Sequence, residues 1–149
     1  MGNAFRFIRV NNGLDTELDY PYNGKEGTCN TKAVSAATIT GYELVPTADE
    51  KALLQAVVNQ PISVAIEAKD PTFIHYAGGV YKGPCGTDLN HAVTLVGYGT
   101  ADNGTDYWLV KNSWGTQWGE NGYMRIQRGV EDPKGLCGIA IYAVYPVLS

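Results

Sequence analysis

Several features that would assign a chain to a class at once are absent from these 149 residues. No apolar run approaches the roughly 18 residues that a membrane-spanning helix requires, so none is expected. Residues 1–13 are too polar and basic for a secretory signal peptide. Arg6 occupies the position where N-myristoylation needs Ser or Thr. The net charge of −4 disfavours nucleic acids and anionic membranes as partners.

Cysteine is also scarce, and its number is odd: the chain contains Cys29, Cys85 and Cys137. No two of them have the CxxC spacing that is typical of zinc sites. We therefore expect neither a metal site nor a cofactor.

What remains is the composition of a globular protein. Hydrophobic residues make up 44% of the sequence and charged residues 17%, which is too hydrophobic for a disordered segment. A chain of this length can bury most of its apolar surface in one core. We therefore predict a single domain over residues 1–149.

The most informative stretch runs from Asn90 to Ile126. His91 begins an apolar run, a turn-rich insert follows, and a second apolar run ends just before Asn112. Two such runs joined by Gly, Asn and Asp residues predict a β-hairpin. Antiparallel pairing would bring His91 next to Asn112, whose amide oxygen can fix the ring of an acid/base histidine. The same two residues also fit a histidine that merely packs at the start of a strand.

Five short motifs carry a resemblance to a known family. The segments DLNHAV, VKNSWG and WGENGYMRI, together with PCG and CGIA, resemble papain-like cysteine proteases in sequence and in order. The similarity extends from about residue 4 to residue 146. It implies an α+β fold with a curved antiparallel sheet or open barrel and one or two helices, which is the right-hand domain of that family in truncated form.

The resemblance also implies roles for individual residues. His91 would be the general acid/base, Asn112 the residue that orients it, and Trp114 the indole that shields their hydrogen bond. The pocket for the substrate residue one position before the scissile residue would be lined by Ala65, Leu89, Asn90, Ala92 and Tyr142. Because these residues are mostly apolar, we expect an aliphatic or aromatic preference there. Strand residues that face the core would give the same pattern.

The nucleophile of the family is not in the sequence. It lies in a C-G-S/A-C-W/Y context about 130–150 residues before the histidine and asparagine. That spacing places it about 40 residues before Met1, and the glutamine that stabilises the oxyanion precedes it. Cys29 is a poor substitute, because it follows a turn-rich loop and no helix N-terminus is adjacent to activate it. We therefore expect the chain alone to be inactive.

The resemblance assigns the three cysteines as well. Cys85 pairs with Cys137, and closing a loop of roughly 50 residues contributes on the order of 4 kcal/mol in the chain-entropy model. Cys29 pairs in the family with an upstream cysteine, so it is expected to be unpaired here. Such a disulfide, and the glycosylation sequon at Asn103, indicate a secreted, vacuolar or lysosomal parent protein.

The resemblance also divides the chain into two parts. Residues 1–15 would be a remnant of the last helix of the helical half, and residues 16–149 would form a sheet-rich, histidine-bearing domain.

Hydrophobic patterns predict the remaining elements. Thr47 and Glu50 form a predicted capping box at the start of a helix. The other predicted elements are a helix over Asn3–Asn12 stopped by Gly13, a strand within Ala36–Val45, the end of the capped helix at Asn59–Pro61, a strand over Ile62–Ala68, a short turn-bound segment over Phe73–Gly79, and strands over Tyr123–Arg128 and Ile139–Val144.

Three functional hypotheses follow. The first is a portion of a papain-like cysteine endopeptidase that acts on peptides when completed. The second is a non-catalytic, protease-derived protein that serves in binding, as a decoy or in storage. The third is a site completed in trans by a separate chain. Expected partners are a peptide or protein substrate, a cystatin-type inhibitor, the missing N-terminal half, and a second copy bound through the exposed cleft face.

Overall fold

The computed structural model describes residues 1–30 and 35–148. The chain falls into two compact units, Met1–Glu43 with Pro146–Ser149, and Leu44–Tyr145. The boundary predicted between residues 15 and 16 stays a prediction. In the described residues, no helix combines the length and the apolar character that crossing a bilayer demands.

The first unit begins with helix α1, Gly2–Val10. The chain leaves the helix through Asn12 and Gly13, both with positive φ, and the Gly13 N–H donates to the Ile8 carbonyl over 2.8 Å. A Cβ at Gly13 would collide with the Ser35 side chain, so glycine is required there. This confirms the predicted helix and its stop.

Strand β1, Gly41–Leu44, begins in the first unit and is shorter than the predicted segment Ala36–Val45. The residues before it form other contacts instead. Ala37 makes an isolated antiparallel bridge with Leu14, and the Thr40 N–H donates to the Val147 carbonyl over 2.9 Å.

The second unit is built on a mixed sheet. Its strands are β2 (Ile62–Ile66), β3 (Val80–Tyr81), β4 (His91–Thr100), β5 (Asp106–Lys111), β6 (Tyr123–Gln127) and β7 (Ala143–Val147, which ends in the first unit). The order is β7-β2-β4-β5-β6-β3. Every neighbouring pair is antiparallel except β3 with β6. With its helices, this open sheet confirms the predicted α+β class.

The predicted hairpin is formed by β4 and β5. Thr94 pairs with Lys111 and Leu95 with Val110, and an irregularity between Leu95 and Gly97 shifts the register before the turn. His91 is therefore the first residue of β4, and Asn112 follows the last residue of β5 at the same end of the hairpin.

The core of the second unit lies on one face of this sheet. In β2, Ile62, Val64 and Ile66 are fully buried, while Ser63 and Ala65 between them are half-buried. This is the predicted alternation of a strand with one face in the core. Further fully buried side chains come from the neighbouring elements: Leu53, Phe73, Leu95, Trp108, Met124, Ile126, Ile139 and Val144.

Helix α2, Glu50–Asn59, packs on the sheet and ends before Pro61 as predicted, but the predicted capping box is wrong. Asp49 is the N-cap, and its carboxylate accepts from the Ala52 N–H over 2.9 Å. Glu50 instead accepts from the Trp108 indole N–H over 2.8 Å and from the Gly129 N–H over 2.9 Å. Tertiary partners therefore use the glutamate that the local pattern assigned to the cap.

Two more predicted elements differ from the structure. Helix α3, Pro71–Ile74, overlaps the first residues of the segment predicted as turn-bound, Phe73–Gly79. The last strand begins at Ala143 rather than Ile139, because Leu136–Gly138 forms a short 3-10 helix in which Cys137 and Gly138 have positive φ. Ile139 is nevertheless fully buried, so its apolar character reflects packing and not strand pairing.

The observed cap generates a direct test. We expect Asp49→Ala to lower the free energy of unfolding by about 1 kcal/mol, because the Ala52 N–H loses its acceptor. Thr47→Ala is the control and should change the free energy of unfolding by less than about 0.5 kcal/mol. Urea unfolding followed by circular dichroism measures both. Equal losses of unfolding free energy in the two variants would instead support a capping box formed by Thr47 and Glu50.

Candidate active site

The register of the hairpin places the predicted histidine and asparagine in direct contact. His91 Nε2 lies 2.8 Å from Asn112 Oδ1. Asn112 is 8% exposed, and its Oδ1 also accepts from the Ser113 backbone N–H over 2.7 Å. The amide oxygen is thus held by its own backbone at the position where it meets the imidazole.

The contact with Asn112 Oδ1 determines which ring nitrogen of His91 carries the hydrogen. Because Asn112 Oδ1 can only accept, His91 Nε2 carries the hydrogen and donates to it. The other ring nitrogen, Nδ1, is then the one that can take up or deliver a proton. The pair therefore has the geometry of an oriented acid/base group.

Trp114 stacks on the imidazole. The ring centroids of His91 and Trp114 are 4.9 Å apart, with an interplanar angle of 29°. The indole is itself held edge to face by Trp118, at 5.1 Å, and by Phe73, at 5.9 Å. Trp114 is 39% exposed, so it covers one face of the imidazole while remaining at the surface.

Sequence analysis missed the support behind this stack. Phe73 is buried in α3, and the Trp118 indole N–H donates to the Ile74 carbonyl over 2.7 Å. The available signal was the pair Asp70-Pro71, since Asp caps a helix and proline favours its first position. Asp70 does accept from the Thr72 N–H over 2.8 Å, which begins α3.

The predicted pocket residues lie along neighbouring segments. Ala65 pairs with Ala92 across β2 and β4, and the Ala65 N–H donates to the Tyr142 carbonyl over 3.0 Å. Leu89 lies close to Gly138, since a Cβ there would be 3.0 Å from Leu89 Cδ2. The Asn90 side-chain oxygen instead accepts from the Ala68 N–H over 3.0 Å.

Glu67 is a further residue that sequence reasoning missed. It directly follows β2, is 6% exposed, and accepts from the Asp88 N–H over 2.8 Å. This hydrogen bond, with help from the Gly86 N–H and the Lys69 ammonium, lowers the pKa of the Glu67 carboxyl against the opposing effect of burial. A buried acid beside an apolar strand gives no motif, so only the fold reveals it.

The cysteines of the second unit are both oxidised. Cys85 and Cys137 form the predicted disulfide, with Cα atoms 5.1 Å apart. Residues 44–145, all of which the structure describes, contain no other cysteine. Cys29 belongs to the first unit, is exposed and forms no disulfide with a described residue. The second unit therefore has an oriented imidazole but no free thiol of its own.

Two other predictions concern metal sites and the glycosylation sequon. In residues 1–30 and 35–148, no group of three His, Cys, Asp or Glu side chains is placed to hold a metal ion. Asn103 is exposed in the turn between β4 and β5, where its side-chain oxygen accepts from the Thr105 N–H over 3.1 Å.

Comparison with known proteins extends these observations. A sequence profile described as papain family cysteine protease matches residues 1–147. The senescence-specific cysteine protease SAG12 of Arabidopsis thaliana is 53% identical over 150 residues, which is 99% of this chain and 43% of that protein. Vignain of Vigna mungo is 54% identical over 149 residues, covering 99% of this chain and 41% of vignain. The chain thus spans less than half the length of these curated relatives.

Solved structures agree with the sequence relatives. The bromelain protease from Ananas comosus, in complex with the E64 inhibitor, is 50% identical with a TM-score of 0.96, covering 99% of this chain and 69% of bromelain. The proform of the ragweed pollen allergen Amb a 11 is 42% identical with a TM-score of 0.96, covering 100% of this chain and 46% of the other. By profile, by sequence and by structure, this chain belongs to the papain family of cysteine proteases.

Proposed function

We propose that these residues carry the proton-handling half of a papain-like cysteine endopeptidase. The observation that carries the proposal is the His91–Asn112 hydrogen bond under the Trp114 indole, in a unit without a free thiol. The nucleophilic cysteine and the oxyanion glutamine lie outside these 149 residues. The chain by itself is therefore inactive.

In the completed site, His91 Nδ1 faces the cysteine thiol. It takes the thiol proton, and the thiolate then adds to the carbonyl carbon of the peptide bond. The imidazolium returns that proton to the leaving amine as the C–N bond breaks, which leaves an acyl-enzyme. Water, deprotonated by the neutral imidazole, then cleaves the thioester and regenerates the thiol. Asn112 Oδ1 holds the ring through Nε2 in each of these steps.

The pocket proposal concerns Ala65, Leu89, Asn90, Ala92 and Tyr142. Ala65 and Ala92 are small and adjacent, Leu89 is half-buried, and the Asn90 oxygen is already engaged by the Ala68 N–H. These residues favour an aliphatic or aromatic substrate side chain, one position before the scissile residue.

Three further features describe the parent protein. We infer a secreted, vacuolar or lysosomal location, because the Cys85–Cys137 disulfide persists in oxidising compartments. Asn103 is accessible for N-glycosylation at the exposed turn.

In the first unit, large apolar side chains are exposed and would be covered by the nucleophile-bearing half, or by a second copy when that half is absent: Phe7, Val10, Leu14, Leu18, Tyr20, Tyr22 and Tyr42.

A second candidate is a non-catalytic protein that binds inhibitors or peptides, acts as a decoy or serves for storage. The observation that favours it is the lack of a free thiol among the described residues 44–145. Binding of a cystatin-type inhibitor without peptide hydrolysis, even after the nucleophile-bearing segment is supplied, would support this candidate over the endopeptidase.

One prediction of the proposed function concerns the isolated chain. We expect the 149 residues to hydrolyse no fluorogenic peptide above the background rate, because the imidazole has no thiolate to activate. The measurement is a fluorescence assay under mild reducing conditions, with a thiol-alkylating epoxide such as E64 as the diagnostic inhibitor.

The control for this assay is a variant that removes Cys29, the free thiol of the first unit. Cys29→Ser should give the same background rate as the unchanged chain. An epoxide-sensitive rate that disappears in Cys29→Ser would instead identify Cys29 as a nucleophile and contradict the proposal.

Another prediction concerns the completed protein, obtained by fusing or adding the nucleophile-bearing segment of a relative. His91→Ala should lower kcat by about 10²–10⁴-fold, because the acid/base group is lost. Asn112→Ala should lower kcat by about 10²-fold, because the imidazole is no longer held in place.

Matched controls are available in the chain. His75 is the only other histidine and is exposed, so His75→Ala should leave kcat unchanged. Asn103→Ala is the matched control for Asn112→Ala and should also leave kcat unchanged. Full activity in His91→Ala would remove this residue from the mechanism.

A further inference from the structure

Glu67 is a nearly buried carboxylate beside the candidate active site. It follows Ile66, which pairs with His91 across β2 and β4, so it lies one residue beyond the partner of the proposed acid/base group. Its side chain is 7% exposed, whereas the Lys69 side chain next to it is 59% exposed. A carboxylate is rarely buried to this extent unless several groups satisfy it.

The groups that satisfy Glu67 belong to one loop, residues 86–88. The Asp88 N–H donates to Glu67 Oε2 over 2.8 Å, and the Gly86 N–H adds a second backbone interaction. Residue 86 must be glycine for the carboxylate to come this close, since a Cβ there would lie 2.6 Å from Oε2. The loop is therefore shaped around the carboxylate.

Lys69 does not account for this arrangement. Its ammonium is 3.5 Å from Glu67 Oε1 and 3.2 Å from Asp88 Oδ2, but both the lysine and the aspartate are largely exposed. Exposed ion pairs contribute little to stability. The hydrogen bond from the Asp88 N–H to the buried carboxylate is the stronger interaction, because its acceptor is charged.

The same loop leads directly into the candidate site. It begins after Cys85, whose disulfide partner Cys137 accepts from the Glu67 N–H over 2.9 Å. It is followed by Leu89 and Asn90, and the Asn90 N–H donates to the Ile66 carbonyl over 3.0 Å. Glu67 is thus bonded through its N–H to Cys137 and through its carboxylate to Asp88, three residues before His91.

We propose that Glu67 is a positioning residue that fixes the loop 86–88, and through it sets the position of Leu89 in the substrate pocket and of His91 at the start of β4. This proposal rests on the endopeptidase function proposed above only for its effect on substrates. Its effect on the position of Leu89 and His91 is a property of the chain itself.

The first test uses the 149-residue chain and NMR. Glu67→Gln keeps the shape but removes the charge of the acceptor. Gly86→Ala places a methyl group 2.6 Å from Oε2 of Glu67, so the carboxylate must shift, and the charge stays the same. Both variants should shift the Asp88 amide, the Leu89 methyl groups and the His91 ring resonances. Gly86→Ala should also raise the pKa of the Glu67 carboxyl towards its ordinary value, measured by titration of the carboxyl carbon.

The control is Glu131→Gln, which makes the same change of charge at an exposed glutamate and should leave these resonances unchanged. If Glu67→Gln moves the Asp88 amide but leaves Leu89 and His91 where they are, Glu67 stabilises the loop only, and the positioning role is overturned.

The second test uses the completed enzyme and two peptide substrates. The substrates differ only in the residue that enters the pocket lined by Leu89, which is leucine in one peptide and phenylalanine in the other. Glu67→Gln and Gly86→Ala should each change the ratio of the two kcat/KM values by about threefold or more, in the same direction. The double variant should change it no further than the single ones, since both act on one interaction. Glu131→Gln should leave the ratio unchanged.

The outcomes separate this proposal from the proposed function. An unchanged ratio in an active completed enzyme overturns the effect on substrates, whatever happens to stability, because a merely structural residue would lower both kcat/KM values equally. A completed enzyme without activity contradicts the endopeptidase function, while the NMR measurements still decide whether Glu67 positions Leu89 and His91.

Discussion

The hydrogen bond between His91 Nε2 and Asn112 Oδ1 is the interaction on which the site depends. It exists because β4 and β5 pair in a register that brings the first residue of one strand to the end of the other. A slip of one residue would turn every side chain of a strand to the opposite face. The buried alternation of Val93 and Leu95 in β4 and of Trp108 and Val110 in β5 therefore fixes the register that brings His91 to Asn112.

The surroundings of this pair are held by longer-range contacts. Trp114 is placed by Trp118 and Phe73, and Trp118 in turn is fixed by the Ile74 carbonyl at the end of α3. On the other side, Glu67 and the disulfide hold the loop that enters β4. A small part of the chain thus presents the imidazole, and elements distant in sequence keep it in place. All of these residues lie within the part of the chain that matches the papain family profile.

Local patterns were sufficient for much of the fold. The hairpin, β2 and the two longer helices were predicted because each has a clear period or a clear stop signal, such as Gly13 or Pro61. Predictions from local patterns were wrong where tertiary partners compete with a local preference. Glu50 was assigned to a cap, but the buried Trp108 indole and the Gly129 N–H need an acceptor, so Asp49 caps the helix alone. Ile139 was assigned to a strand, but its apolar side chain serves the core next to a 3-10 helix.

The sequence by itself determined that His91 and Asn112 would lie next to each other, because a histidine and an asparagine at the ends of two apolar runs need only strand pairing to meet. It also determined the disulfide partners, through the motifs around Cys85 and Cys137. Only the tertiary structure decided how the pair is supported. The Glu67 carboxylate accepts from a backbone amide of a distant segment, and such a partner has no side-chain pattern that a sequence could display. Asp70 and Pro71 mark the start of α3, but they do not indicate that its Ile74 carbonyl accepts from the Trp118 indole.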